Sequence, residues 1–312
     1  PFNRAKPLAG DLGDYVAYYL GMCYLQTGRQ AEGMGTLANF SATFPDSLLA
    51  RDAHLAYANG LLTEGRSAEA AELLEKERLP ARSDIELAVG KAYAALGQTA
   101  KAAEAFSNVY FKMPTSPDAD AAYSELLKLH GAPATTAAQR KARAELLIKG
   151  RRYADAASEF AQLVANATPE TRIEAQLALA DALHRAGRNR DAKTEIANLQ
   201  GTSPEQSAHR LYILGEIAWA SDDNPTFYRT VDELRQSAST SPWLEASLLS
   251  AANLHLVHHE YDQALDCYRE LQQRFPNGSK ASYAHWKTAW LTLRQGRNEE
   301  ARKLLEEQIS LY

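Results

Sequence analysis

Three histidines, His255, His258 and His259, read H-x-x-H-H. Within a helix His255 and His259 stand one turn apart, a spacing that offers two imidazoles to a metal ion from one face, with Glu260 or His285 as a third ligand. Two features weigh against that chemistry. His255 falls where an aromatic packing residue recurs elsewhere, as at Tyr93, and His258 and His259 fall in a polar turn between helices. No metal and no cofactor is therefore assigned. A second candidate is aromatic: Trp286 and Trp290 share a helix face at i, i+4 with His285 beside them. Tyr15, Tyr18 and Met22 follow similar helical spacing, as do Tyr212, Glu216 and Trp219. Aromatics along a groove stack on sugars or anchor a partner peptide, and the alternative is that they pack on the neighbouring helix.

Carboxylates are plentiful, as at Glu69, Glu72 and Glu75 or Glu299, Glu300, Glu306 and Glu307. Their helical spacing beside Lys and Arg is that of a solvated face. General acid catalysis by paired carboxylates needs one proton held by burial, which spacing alone does not supply. No phosphate-cradling glycine loop, G-x-S-x-G turn or H-E-x-x-H is present in the sequence. No catalytic residue is assigned. The 34 Lys and Arg against 39 Asp and Glu leave a formal charge of −5, without the basic surplus that nucleic-acid binding uses. The two cysteines, Cys23 and Cys267, exclude a disulfide framework and a Cys-rich zinc site, and they read as inert buried thiols.

The elements that must position these residues are helices. Fifty-six alanines and 17 glycines suit closely packed helices better than sheets, and glycine or proline interrupts each periodic stretch. No run approaches the roughly 18 apolar residues of a membrane span, so the chain is expected to be soluble. At 312 residues the chain exceeds what one core usually serves, which implies two domains or an elongated repeat. A unit of about 34 residues recurs, clearest in Gly90, Tyr93, Gly97, Ala102, Phe106 and Pro114.

Aligning eight such units puts Gly21, Ala58, Gly90, Ala144, Ala180, Gly215, Ala252 and Ala289 at one position. A second position holds Gly33, Ala70, Ala102, Ala156, Ala192, Phe227, Ala264 and Ala301. Small side chains in all but one of these places mark the crossing of the two helices in each unit, where anything beyond a methyl would hold the backbones apart. Proline at the end of a second helix, such as Pro204, is expected to stop it. Two irregularities interrupt the series. Between Gly90 and Ala144 the spacing predicts an extra helix over Pro117 to His130, followed by a loop at Gly131 and Pro133. Asp222, Asp223, Asn224 and Pro225, with Phe227 in a small-residue place, predict a splayed sixth unit.

G-x-x-Y, then A-x-x-x-F, then P at these offsets resembles the tetratricopeptide repeat, a helix paired with an antiparallel helix. The resemblance spans the chain. It implies an all-α, right-handed solenoid of about eight helix-turn-helix repeats with an extra helix between repeats three and four. Residues 1–133 and 134–312 are expected to form its two parts. It also places Tyr15, Tyr18, Met22, Tyr212, Glu216, Trp219, Trp286 and Trp290 on the concave surface formed by the first helices. Peptide-clamp members of that family carry Lys and Asn at groove positions, which here read Asp52, Leu55, Asn59, Leu87, Lys91, Lys141 and Glu145. The clamp is absent from this pattern.

A narrower similarity lies in residues 14–33, 44–74 and 282–308, for example DYVAYYLGMCYLQTGRQAEG, and in the single helix after Pro117. These stretches look like the N-terminal superhelical part of soluble lytic murein transglycosylases. That resemblance implies a periplasmic protein acting on peptidoglycan, whose catalytic glutamate lies in a separate C-terminal domain. The E-S-x-F and G-L-M-Q motifs of that domain do not occur here. This chain is then the non-catalytic region that positions substrate or docks the catalytic domain. The FPDS and FPNGSKA turns (44–47 and 275–281) are also similar to periplasmic scaffold proteins. The alternative is therefore a free-standing scaffold of the bacterial cell envelope, with a protein or peptide partner. The start at Pro1 without a leader, and the apolar stripe Ala301, Leu304, Leu305 and Ile309 at the other end, lead to the expectation of a fragment of a longer chain.

Overall fold

The computed structural model describes residues 10–130, 135–197, 199 and 202–312. Among them every regular element is helical. The expected loop at Gly131 and Pro133 lies outside the described residues. The chain divides into two compact units, Pro1–Arg151 and Arg152–Tyr312.

In the first unit a short 3-10 turn leads into α1 (Gly13–Gln26), α2 (Gln30–Leu37), the one-turn α3 (Phe40–Thr43), α4 (Ala50–Thr63) and α5 (Ser67–Lys76). There follow α6 (Ser83–Ala95), α7 (Thr99–Ser107) with a π-helical turn at Asn108–Lys112, α8 (Ala119–His130) and α9 (Ala137–Lys149). The second unit holds α10 (Tyr153–Ala165), α11 (Pro169–Arg185), α12 (Asn189–Ala197), α13 (Pro204–Trp219) and α14 (Asn224–Ser237). It closes with α15 (Pro242–Val257), α16 (Tyr261–Arg274), α17 (Ala281–Arg294) and α18 (Asn298–Leu311). Consecutive helices pack as pairs: α1 with α2, α4 with α5 and α6 with α7 in the first unit, and α11 with α12, α13 with α14, α15 with α16 and α17 with α18 in the second.

The small residues of the repeat register sit where the helices cross, and all of the aligned positions are buried. A methyl built on Gly90 would lie 2.3 Å from the Phe106 ring, and one on Gly21 would lie 2.7 Å from Leu37. Phe106 and Leu37 occupy the same register place on the facing helix. The bulk absent from one helix is thus supplied by its partner, and close packing leaves no room for both.

A second recurrence governs the turn inside each pair. Seven residues after the crossing position stand Gly28, Gly65, Gly97, Arg151, Gly187, Asp222, His259 and Gly296, all with φ between 57° and 78°. A left-handed residue closes the first helix by directing its own amide and the next one back onto the helix's last turn. Gly28 N donates to Leu25 O at 3.2 Å and Arg29 N to Tyr24 O at 2.9 Å. Asp222 and Asp223 make the same two bonds, to Trp219 O at 3.0 Å and Ala218 O at 2.9 Å. The sixth unit is therefore not splayed. Phe227 is 1% exposed in the core of the unit, and the side chain that fills the space at Gly215 is Thr230, whose Oγ1 a methyl there would meet.

The extra helix appears as α8, with Ala122 and Leu126 in the core shared by α4 to α7. Prolines 169, 204 and 242 stand in the first turn of a following helix rather than at the end of the preceding one. Their missing N–H costs nothing there, since first-turn amides have no intrahelical acceptor. Ser203 adds a reciprocal cap with Gln206.

Candidate functional site

Counting from the crossing position, places six and three residues before it and one after it fall on the same face of each first helix. On α1 these are Tyr15, Tyr18 and Met22. Tyr15 is 44% exposed, whereas Tyr18 and Met22 lean on the cluster of Leu37 and Phe40. Burial pushes the Tyr18 hydroxyl up, helped by the charge of Asp52. Asp52 on α4 and Asp84 on α6 hold the equivalent place, and Arg82 binds both, at 2.7 and 2.6 Å. The first unit thus presents two carboxylates that share one guanidinium, which leaves the group one negative charge in excess.

In the second unit α11, α13 and α15 build a partly buried polar cluster. Asp181 and Arg185 pair at 3.0 Å on α11. On α13, His209 stacks on Trp243 of α15, with centroids 3.6 Å apart and planes 3° from parallel. Tyr212 leans on the same indole at 5.2 Å. Glu216 accepts from Ser250 through one oxygen, while its Oε1 and His209 Nε2 are buried without a hydrogen-bond partner. Burial pushes His209 down to about 4 and raises the Glu216 carboxyl above its ordinary range. It also raises the Tyr212 hydroxyl, with Glu216 and Asp181 adding to the effect. Near neutral pH His209 is uncharged, and the cluster favours uncharged groups over anions.

Trp219 does not join this cluster. Its ring packs 5.8 Å from Phe227, within the pair.

The outward face of α17 is different in kind. Trp286 is 43% exposed and Tyr283 42%. Lys287 Nζ stands 5.6 Å from the Tyr283 ring centre, 5.1 Å from Trp286 and 4.9 Å from Trp290. One turn on, the Arg294 guanidinium covers Trp290 at 5.1 Å and Tyr261 at 5.0 Å. His285, adjacent in sequence, turns inward to α18, where Nδ1 meets Gln308 Oε1 at 2.9 Å. Lys287, Arg294, Tyr283, His209 and Trp243 were not singled out from sequence. The register already carried the signal for two of them, since His209 and Tyr283 stand six places before the crossing, as Tyr15 does.

The three histidines go separate ways. His255 stacks on Tyr228 at 4.7 Å, and its Nδ1 lies 2.6 Å from Glu260 Oε2. His258 ends α15. His259 takes the left-handed turn position and meets Tyr261 Oη at 3.0 Å. Among the described residues no group of three or more His, Cys, Asp or Glu is placed to hold a metal ion.

One further polar chain was not anticipated. His54 on α4 lies 2.7 Å from Ser41 Oγ through Nε2 and 2.7 Å from Glu77 Oε1 through Nδ1. The order is that of a nucleophile, base and carboxylate. Arg51 also pairs in charge with Glu77, at 3.4 Å, and donates hydrogen bonds to the carbonyls of Glu77 and Pro80 at 2.5 and 2.7 Å. These contacts tie α3, α4 and the turn after α5 together.

Family profiles described as tetratricopeptide repeat match residues 15–47, 52–76, 173–197 and 249–310. Those stretches cover most of α1 with α2, of α4 with α5 and of α11 with α12, and run from the middle of α15 through α18. No curated protein matches the chain. Among solved structures it is similar to yeast Tom70, with 14% identity over all of this chain and 87% of that one, at a TM-score of 0.47. It is also similar to a tetratricopeptide repeat protein from Parabacteroides merdae, with 12% identity, 95% and 98% coverage and a TM-score of 0.36. For the APC/C hetero-tetramer Cut9–Hcn1 the identity is 15% and the TM-score 0.42, the alignment taking in 97% of this chain and 57% of that one. Among the described residues no helix is long and apolar enough to cross a membrane.

Proposed function

We propose that this chain is a non-catalytic, tetratricopeptide-like scaffold whose first-helix faces hold protein partners. The observation that carries this reading is the contrast within one repeat register. The crossing positions are buried and small, while the face beside them keeps large aromatics exposed, Tyr15 at 44% and Trp286 at 43%. Packing does not require that exposure, and amphipathic rings beside polar groups are the composition of recognition surfaces. The profile matches, which include α1 and α17, support it.

The finer reading follows from the resemblance of residues 14–33, 44–74 and 282–308. On it, the chain belongs to a periplasmic lytic transglycosylase and positions peptidoglycan, or docks the catalytic domain. The alternative is a free-standing scaffold of the cell envelope. Sedimentation with purified peptidoglycan sacculi separates them. Co-sedimentation that is lost in a Trp286→Ala, Trp290→Ala double variant supports the finer reading. Protein that stays in the supernatant overturns direct glycan contact and directs the search to protein partners by cross-linking.

A further inference from the structure

Lys287 and Arg294 on α17 are two cations held by rings rather than by acids. Among the described residues neither has a carboxylate within salt-bridge distance, although ion pairs are common elsewhere in the unit. Among the acids of α16 and α18, Glu300 bonds Arg269 and Arg297, Glu299 and Glu306 bond Arg302, and Asp262 accepts from Gln295 at 2.7 Å. Both cations stand about 5 Å from the centre of Trp290, so they lie no more than about 10 Å apart. Two like charges kept that close, partly desolvated against indole and phenol rings, present an unneutralised positive field beside exposed apolar surface. An anion reaching both would relieve it.

We infer that the Lys287–Trp290–Arg294 face of α17 docks an acidic, extended polypeptide segment of a partner protein. This rests on the reading of the first-helix faces as a partner surface and specifies what one of them takes. Carboxylates provide the missing charge, and the exposed edges of Tyr283 and Trp286 take the apolar side chains between them. Spacing narrows the segment. In an extended polyproline-type chain, residues three apart return to the same side at about 9 Å, within the separation of the two cations. A pair of acidic residues separated by two others fits. A glycan fits less well, because a sugar stacks on an open ring face, and Lys287 or Arg294 covers Tyr283, Trp286 and Trp290.

The test uses a phage-displayed library of random peptides, selected on the wild-type chain and on a Lys287→Gln, Arg294→Gln double variant. Circular dichroism of the variant checks that its helices are kept. The wild type is expected to enrich peptides with acidic pairs three apart. A synthetic peptide from that pool should bind the double variant at least about tenfold more weakly, lose affinity with salt, and regain it on Lys287→Arg. An enriched pool without acidic bias, no enrichment at all, or binding that the double variant leaves intact would each overturn the inference. Sacculi that pellet the wild type and the charge variant alike, but not a Trp286→Ala variant, would assign the face to glycan. That result would sink the inference while leaving the transglycosylase reading in place.

Discussion

At His209 and Glu216 burial acts in opposite directions along the pH scale. The unfolded His209 takes up a proton below about 6.5, while the folded one resists until about 4. The unfolded state therefore binds more protons across that window, and stability falls as pH drops through it, by up to about 3 kcal/mol for a shift of this size. Glu216 has a raised folded pKa, so its contribution is complete below the ordinary carboxylate value and is lost as pH rises through the raised one. Urea unfolding across pH should show a Glu216→Gln variant more stable than wild type near neutrality. A His209→Gln variant should lose the acid-side decline. If both profiles overlay the wild type, the cluster is better solvated than its burial indicates. Sequence placed Tyr212 and Glu216 on this face but missed His209 and Trp243, because a stacked pair depends on two helices about 34 residues apart coming into register. The Lys287 and Arg294 ladder was hidden for another reason. A cation on a helix surface is ordinary in sequence, and only the missing carboxylate partners set these two apart.

At the level of the helix pair, the crossing and the turn were unequally legible. Small residues at fixed spacing revealed the crossings, since sterics admit few alternatives there, and the expected extra helix after Pro117 appears as α8. The turn was legible only where glycine fills it. Arg151, Asp222 and His259 adopt the same left-handed conformation without the residue type that signals it, which is why the sixth unit read as splayed. The conformation itself disfavours a side chain by roughly 1–2 kcal/mol, against a cost of roughly 0.5–1 kcal/mol for the freedom glycine adds to the unfolded chain. Asp222→Gly should consequently stabilise by about 0.5–1 kcal/mol in thermal or urea unfolding, and Arg151→Gly by a similar amount. The crossing gives the opposite sign. Gly90→Ala drives a methyl into the fully buried Phe106 ring and should cost about 1–3 kcal/mol. Gly60→Ala should cost less, although its methyl would meet Met34 Sδ at 2.0 Å, because the methionine chain can swing away. Equal losses at the two sites would mean that the crossings relax more readily than close packing allows.

Over the whole molecule, a repeat that touches only its neighbours has no centre shared by all of its helices, and stability is set locally by how many neighbours each pair has. In the first unit the large buried cluster joins α4 to α8 and takes in only Met34 from α2, while α1 to α3 rest mainly on the smaller cluster of Leu37, Phe40, Ala53 and Ala56. In the second unit the cluster built on α13 to α17 includes Phe227, Leu248, Tyr268 and Leu291. The terminal α18 buries only Ala301, leaving Leu305 38% and Ile309 85% exposed. Amide hydrogen exchange under native conditions reads this gradient directly, because local opening is cheapest where little apolar surface must be uncovered. The slowest amides should fall in α6, α7, α15 and α16. Those of α18 should exchange first in the second unit, and those of α1 and α2 early in the first. Slow exchange throughout α18 at low protein concentration would show that something outside its own pair covers the Leu305 face. If protection of α18 rises with protein concentration while α15 and α16 stay unchanged, a second copy of the chain covers it, as an exposed apolar stripe of this kind favours.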